Sequence, residues 1–225
     1  MCGRYSLTTD IQSLQERFSF DWKQTEYRPR FNIAPDQQVV TIRNDGLENR
    51  AQLMQWGLIP SWAKDLKSSA RIINARSETL AQKPTFSKLL RSQRCLVIAD
   101  RFFEWVKSGH KKVPMCIMLK SGKPFGFAGL WDTWSSPDNK IVNSCTIITT
   151  NPNELIAPIH GRMPVIIPDH AESNWLDPVE NNTDYLKKLL IPYESYCMEA
   201  YQISTYVNAP SNDTQDILDR SSVTN

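Results

Sequence analysis

Cys2 is the residue with the most distinctive chemistry in this sequence, because removal of Met1 would leave it with both a free α-amine and a thiol. The amine of such an aminothiol condenses with an aldehyde to an imine, and the thiol then closes a five-membered thiazolidine ring. The amine has a pKa of about 8 and the thiol about 8.5, so both reactive forms are populated near neutrality. A nearby cation would increase the thiolate fraction, and Arg4 is the candidate. The alternative is an ordinary cysteine near a frayed terminus.

Two further side chains have the chemistry to move protons. Glu104 lies between two aromatic residues after an apolar run, where desolvation would raise its pKa toward neutrality. His160 titrates near neutrality and lies between an apolar segment and a Gly-Arg pair. The alternatives are a glutamate that points outward from a half-buried strand and a structural histidine. His110 and His170 stand in polar surroundings and are predicted to lie at the surface.

The stretch from residue 72 to residue 78 is polar between apolar segments. On a strand, Asn74, Arg76 and Glu78 would share one face. An arginine there could grip a phosphate through two nitrogens, and the asparagine amide could orient a reactive group. The alternative is a solvated strand face with a surface ion pair.

Arginines and aromatic residues recur together along the chain. Cations that follow a phosphate backbone, with aromatic rings for stacking, are typical of single-stranded nucleic-acid binding. The set comprises Arg28, Arg30, Phe31, Trp56, Trp62, Arg71, Arg76, Arg101 and Arg162. Within it, Trp56 is predicted to be in the core and Trp62 to be exposed.

Composition narrows the class of protein. The 225 residues carry a net charge of +2, so any anion site must come from local clustering and not from the overall field. Five cysteines, an odd number without a Cys-x-x-Cys pair, indicate a reduced, intracellular protein. No ligand spacing indicates a metal, and no cofactor is expected. The sequence shows no signal peptide and no membrane span, so we expect a cytoplasmic protein.

Hydrophobic patterning predicts a single α+β domain of many antiparallel strands with interspersed helices. An Asp-Gly turn predicts a hairpin between residues 38–43 and 47–54, and residues 56–62 are expected to form a rigid aromatic loop. Further strands are predicted at 95–100, 102–106, 114–119, 125–131, 141–150 and 200–207. Helices are predicted at 10–18, 77–93 (in two pieces, broken at Pro84), 152–158, 169–176 and 181–190.

Taken together, these stretches resemble the SRAP (SOS-response-associated peptidase) family of abasic-site processing proteins. The matching motifs begin at Cys2 (CGRY), Arg30 (RFNIAP), Trp56 (WGLIPSW), Asn74 (NARSET), Arg101 (RFFEW) and His160 (HGRMP), with Val207-Asn208 near the end. The chain departs from the family where Asp36 stands in place of a common glycine and Tyr5 in place of a common phenylalanine.

The resemblance implies a barrel-like core of antiparallel strands, surrounding helices and a DNA-binding groove within residues 1–213, followed by a polar tail at 214–225. It implies that Cys2 forms a thiazolidine with the ring-opened aldehyde of an abasic site in single-stranded DNA, which shields the lesion. Asn74 would hold the Cys2 amine or the sugar, and Glu104 and His160 would move protons. The residues expected to bind DNA are Arg4, Pro35, Trp62, Arg76, Thr149 and Arg162.

The resemblance also implies that any peptidase activity is limited, perhaps to removal of the protein's own Met1. A monomer is expected, since each protein is consumed by one lesion. Two other functions remain open on the residues alone. One is an N-terminal-nucleophile amidohydrolase, in which Cys2 attacks an amide and its own amine is the base. The other is a non-covalent single-strand-binding module in which Cys2 is idle.

Overall fold

The structure, a computed structural model, describes residues 2–22, 27–65, 71–136 and 138–220, and β-strands dominate it. The strands are β1 (Tyr5–Leu7), β2 (Phe20–Asp21), β3 (Arg30–Ile33), β4 (Gln38–Asn44), β5 (Asn49–Trp56), β6 (Asn74–Arg76), β7 (Arg94–Ala99), β8 (Arg101–Ser108), β9 (Lys111–Leu119), β10 (Phe125–Ser135), β11 (Ile141–Thr150), β12 (Met163–Pro164), β13 (Ile166–Ile167) and β14 (Met198–Gln202). The α-helices are α1 (Ile11–Phe18), α2 (Pro84–Ser92), α3 (Glu172–Leu176) and α4 (Thr183–Lys188). Short 3-10 helices cover Ser77–Thr79, Asp169–Ala171, Ser195–Cys197, Thr205–Asn208 and Gln215–Leu218.

Five strands close into a barrel in the order β11-β10-β7-β4-β5. Neighbouring strands are antiparallel except at the closing pair, where β5 and β11 are parallel and Cys145 lies opposite Trp56. Closure leaves no open edge of unpaired backbone groups in this ring of strands. All six residues of β7 are buried, as expected for an apolar run without alternation. The predicted α+β class and barrel-like core are therefore confirmed.

A second sheet, in the order β14-β9-β8-β1-β3, holds the first residues of the chain. Its strand β1 lies between β8 and β3 and is antiparallel to both. Tyr5 packs edge-on against Phe127 of the barrel, with ring centroids 5.8 Å apart. The buried carboxylate of Asp100 accepts hydrogen bonds from the Ser6 hydroxyl at 2.7 Å and the Thr9 backbone N–H at 3.1 Å. Strands β8 and β3 therefore hold the segment after Cys2 on its two sides, and Asp100 holds its far end.

Most of the local predictions are confirmed. Asp10 caps α1 by accepting from the Ser13 backbone N–H at 2.9 Å. The predicted hairpin forms between β4 and β5, where Gly46 has a φ of +97° that favours glycine. Pro84 begins α2, a position where its missing N–H removes no hydrogen bond.

Two local predictions were wrong. Residues 152–158 form hydrogen-bonded turns and not a helix, because Pro158 lacks the N–H that a continuous helix would need. The strand predicted at 200–207 runs instead from Met198 to Gln202, and the 3-10 helix at Thr205–Asn208 follows it.

The last residue of the predicted domain and part of the predicted polar tail contact the fold. Asp213 accepts from the backbone N–H groups of Phe31 at 2.6 Å and Asn32 at 2.9 Å, and it forms an ion pair with Arg30. Beyond it, Ile217 is fully buried. The folded part of the chain therefore extends past residue 213 to residue 220, and residues 221–225 lie outside the described residues.

None of the helices in the described ranges is long and apolar enough to cross a membrane.

Candidate active site

Cys2 lies just before β1 and is fully buried. The Asn74 side-chain amide, on barrel-associated strand β6, donates to the Cys2 carbonyl oxygen at 2.8 Å. On the other side, the Arg4 carbonyl accepts from the Phe103 N–H at 2.9 Å, which ties this segment to β8. Two different sheets therefore fix the position of Cys2. Asn74 therefore bonds the Cys2 carbonyl, and its expected role of holding the Cys2 amine or the sugar stays a prediction.

The Cys2 thiol is held in its protonated form. Burial raises the pKa of this thiol far above its ordinary value, and the negative charge of Glu104 raises it further. Because the pKa is raised and not lowered, the predicted increase of the thiolate fraction by Arg4 was wrong. The arrangement suits a reaction in which the amine attacks first and the thiol loses its proton only later.

The Arg4 guanidinium is occupied by contacts within the protein. It donates to the Asn32 side-chain oxygen at 2.9 Å, the Val207 carbonyl at 2.7 Å and the Asn208 carbonyl at 3.4 Å. It also lies 5.8 Å from the ring centroid of Trp105. Arg4 therefore fastens the segment around residue 207 to the start of the chain, and its predicted contact with DNA phosphate would compete with these bonds.

Asn32 helps to hold the site together. From the sequence it is recognisable only as part of the RFNIAP motif, which predicts no role for it. Its fully buried amide donates to the carbonyls of Val207 at 3.1 Å, Ala209 at 3.0 Å and Asn212 at 2.7 Å. A buried amide with this many partners specifies one arrangement of the chain. The only signal in the sequence is a polar residue between Phe31 and Ile33 in an apolar strand.

A cavity of about 500 Å³ opens at Glu104, whose charge acts on the Cys2 thiol. Its lining includes Glu104, Trp105, His160 and Asn208. The Trp105 indole N–H donates to the Asn208 side-chain oxygen at 2.7 Å, which closes one wall. The structure thus brings together the two proton-transfer residues that the sequence predicted, although 56 positions separate them in the chain.

The carboxyl group of Glu104 is buried, with 3% of the residue exposed. Burial raises its pKa above the ordinary 4.5, and the positive charge of His160 opposes this increase. This direction confirms the prediction for a carboxyl group between aromatic residues. Glu104 can therefore hold a proton closer to neutrality than an exposed glutamate can.

We expect Glu104→Gln to increase the free energy of unfolding at neutral pH, because glutamine mimics the protonated form that burial favours. The gain is absent well below pH 4.5, where both folded and unfolded wild-type chains are protonated at this position. It grows as the unfolded carboxyl ionises and becomes constant above the raised pKa, at about 1.4 kcal/mol for each unit of the shift. Urea unfolding between pH 4 and pH 8 measures this difference, and a gain that shrinks with rising pH would contradict it.

His160 is oriented by the backbone. The Arg162 N–H donates to its Nδ1 at 3.0 Å. The same Nδ1 lies 3.1 Å from the Arg162 carbonyl oxygen, so the backbone of Arg162 offers it both a donor and an acceptor. These contacts fix the orientation of the His160 ring.

Arg162 forms a two-nitrogen ion pair with Glu78, at 2.6 and 3.0 Å. It also donates to the carbonyl of Thr149 at 2.7 Å. Thr149 is fully buried in barrel strand β11, and its hydroxyl oxygen accepts from the same guanidinium at 3.4 Å. Arg76, by contrast, is exposed at the end of β6, two residues after Asn74. Of these predicted DNA-binding residues, Arg76 is the one presented to solvent.

The remaining predicted DNA-binding residues lie on loops. Trp62 is 72% exposed, as predicted, whereas Trp56 is fully buried in the barrel. Pro35 is half-buried and precedes Asp36, whose φ of +69° lies in the left-handed region that favours glycine. The departure from the family's common glycine at position 36 is thus accommodated without a change of backbone.

Within the described ranges, no cluster of three or more histidine, cysteine, aspartate or glutamate side chains is placed to hold a metal ion.

Comparisons with known proteins agree on one family. The model of the SOS response associated peptidase (SRAP) family matches residues 1–210. The Bacillus subtilis "Abasic site processing protein YoqW" is 48% identical over 222 residues, which cover 97% of this chain and 99% of that protein. The Gallus gallus "Abasic site processing protein HMCES" is 30% identical over 261 residues and is covered to 77%. A crystal structure from Bacteroides thetaiotaomicron superimposes with a TM-score of 0.89 at 26% identity, covering 98% of this chain and 100% of that one.

Proposed function

Because this chain belongs to the SOS response associated peptidase family, we propose that it processes abasic sites by forming a covalent crosslink between Cys2 and single-stranded DNA. After Met1 is removed, the Cys2 amine and thiol together form a thiazolidine with the ring-opened aldehyde of the abasic deoxyribose. The observation that carries the proposal is the convergence of Cys2, Asn74, Glu104 and His160 from four separate parts of the sequence beside one cavity.

The first step is attack of the Cys2 amine on the aldehyde carbon. A carbon–nitrogen bond forms, and loss of water from the resulting carbinolamine gives the imine. Departure of water requires a proton on the hydroxyl group, and Glu104, with its raised pKa, is the donor we assign. His160, which lines the same cavity, assists opening of the sugar ring.

The second step closes the ring. The Cys2 sulfur adds to the carbon of the imine, whose nitrogen still carries a proton after water has left. The thiol proton leaves to the Glu104 carboxylate formed in the first step, so the ring nitrogen ends as a neutral secondary amine. A thiol kept protonated until this point does not react prematurely with other electrophiles. Holding both groups against the aldehyde replaces a bimolecular encounter, which is equivalent to an effective concentration of up to about 10⁵ M or more.

The burial of Cys2 favours an abasic nucleotide as the substrate. Cys2 is buried, so the sugar must enter the protein to reach it. A nucleotide without a base has no stacking to lose and can leave the strand at low cost. We assign Pro35 and Trp62 to the path of the strand and the exposed Arg76 to its backbone. Contacts of DNA with Arg4, Thr149 and Arg162 stay a prediction, since these side chains are buried or bonded within the protein.

The experiment that tests this function mixes the protein with a single strand that carries one abasic site and separates the products on a denaturing gel. We expect a band of protein joined to DNA, and intact mass should show the adduct on a chain that lacks Met1. A non-covalent binding module would give no such band, and an amidohydrolase would instead release ammonia from glutamine.

The proposal includes loss of Met1 by the protein's own thiol, action as a monomer, and association with the bacterial nucleoid when bound to DNA.

Replacing Arg76 with alanine should weaken single-strand binding by about 5-fold at 0.1 M salt. Loss of one phosphate contact reduces the slope of log affinity against log salt by about 0.7 for a single strand. Fluorescence anisotropy between 50 and 300 mM salt measures both quantities. Arg91→Ala removes the same charge from an exposed position on α2 and should leave both unchanged. Equal effects of the two substitutions would show that Arg76 acts only through net charge.

A further inference from the structure

Two lysines occupy directly opposite positions on the β8–β9 hairpin. Lys107 and Lys112 are cross-strand partners in antiparallel register, and both are exposed. Opposite residues on such a pair have Cβ atoms roughly 4.5–5.5 Å apart, and like charges in this arrangement destabilise the sheet. A cation can be balanced by a neighbouring carboxylate, as Arg50 is by Asp45 at 2.9 Å. Over the described ranges, neither lysine has a carboxylate within ion-pair distance.

These lysines face the candidate active site. Both line the cavity of about 500 Å³ that Glu104 and His160 also line. On β8, Trp105 and Lys107 are two positions apart and share a face of the strand. The like-charge pair therefore stands at the mouth of the cavity, where a bound anion would relieve its repulsion.

We propose that Lys107 and Lys112 form a phosphate-binding site that holds the DNA backbone beside the abasic nucleotide. Lysine binds phosphate as a point charge without a fixed geometry, which suits a strand that must move to deliver its sugar. The site lies on the second sheet, whereas Arg76 lies on a strand that pairs with the barrel. The inference rests on the proposed function, since it takes the lesion-bearing strand as the ligand.

The test measures non-covalent binding of the full chain to a single strand that carries a tetrahydrofuran, which resembles an abasic site but has no aldehyde. The double substitution Lys107→Ala and Lys112→Ala should weaken binding by about 25-fold at 0.1 M salt. It should also reduce the salt slope by about 1.4, since each lost contact with a single strand removes about 0.7. The Tm should stay the same or rise, because the repulsion is removed, whereas a merely structural pair would lower it.

Lys111→Ala is the matched control, since it removes a neighbouring exposed lysine of the same hairpin that does not line the cavity. Strands with a neutral methylphosphonate at single positions identify the phosphate. At the position held by the lysines, the wild type should lose about 5-fold in affinity and the double variant should lose nothing. A terminal phosphate in place of the internal linkage distinguishes a strand end from a continuous backbone as its source.

Equal affinities for the double variant and Lys111→Ala, or additive losses at every methylphosphonate position, would overturn the site. Crosslinking of a true abasic strand by the wild type is scored separately. Failure of that reaction would refute the proposed function while leaving the binding comparison readable. The two inferences can therefore fail independently.

Discussion

Replacing Cys2 with alanine should abolish the denaturation-resistant adduct with an abasic single strand. On a chain from which an aminopeptidase has removed Met1, alanine retains the α-amine but has no thiol, so the imine cannot close to a thiazolidine and reverts by hydrolysis. A chain that keeps Met1 has no amine at residue 2 and forms no adduct either. We expect the yield of crosslinked band on a denaturing gel to fall below about 1% of the wild-type yield. The variant lacks the nucleophile that closes the ring. Cys2→Ser should behave in the same way on the gel, yet borohydride should trap its imine.

Cys95→Ala is the matched control for this result. Cys95 is also a fully buried thiol, on barrel strand β7, so its loss tests the effect of removing a sulfur atom from the core. Crosslinking should remain at the wild-type level in this variant. A stable adduct formed by Cys2→Ala would refute the thiazolidine, because no other group on the variant's first residue can close the ring.

Replacing Glu104 with alanine or glutamine should slow crosslinking by on the order of 10²-fold, the usual contribution of a positioned general acid or base. Both substitutions remove the group that protonates the departing hydroxyl and that later accepts the thiol proton. The effect should appear in single-turnover kinetics with saturating DNA. Affinity for a tetrahydrofuran strand should change by less than about 2-fold, since a buried carboxyl contributes little to phosphate binding.

Glu172→Gln provides the comparison for that experiment. Burial also raises the pKa of Glu172, which is bonded to Arg17 at 2.9 and 3.0 Å outside the Glu104 cavity. Its substitution should affect stability and leave the crosslinking rate unchanged. Wild-type rates for Glu104→Gln would remove Glu104 from the proposed mechanism, whatever its effect on the free energy of unfolding.

Glu104 and His160, to which we assign proton transfer, could be singled out in the sequence because each interrupts an apolar run. Glu104 and His160 are polar in surroundings that would otherwise be buried, and the raised pKa of Glu104 follows from that placement alone. The strands were predictable for the same reason, since a buried strand such as β7 is a continuous apolar segment. The proximity of Glu104 to His160 required the closed barrel and the second sheet.

The contacts of Arg4 and Asp213 were beyond sequence reasoning because they join distant parts of the chain. Arg4 looked like a free cation, yet its partners include a carbonyl 203 residues away. Asp213 stood at the predicted boundary with the polar tail, yet it accepts from backbone groups 181 and 182 residues earlier. Hydrophobic periodicity indicates which face of a helix or strand is buried. It does not indicate which hydrogen-bond donor pairs with which acceptor.

The amide of Asn32 has a consequence for the order in which the protein acquires its reactivity. It binds carbonyl groups of residues 207, 209 and 212, the last of them 180 positions further along the chain. During translation, the aminothiol leaves the ribosome long before these hydrogen bonds of Asn32 can form. A nascent chain, or one truncated near residue 205, thus carries the nucleophile without the wall that surrounds it in the finished protein.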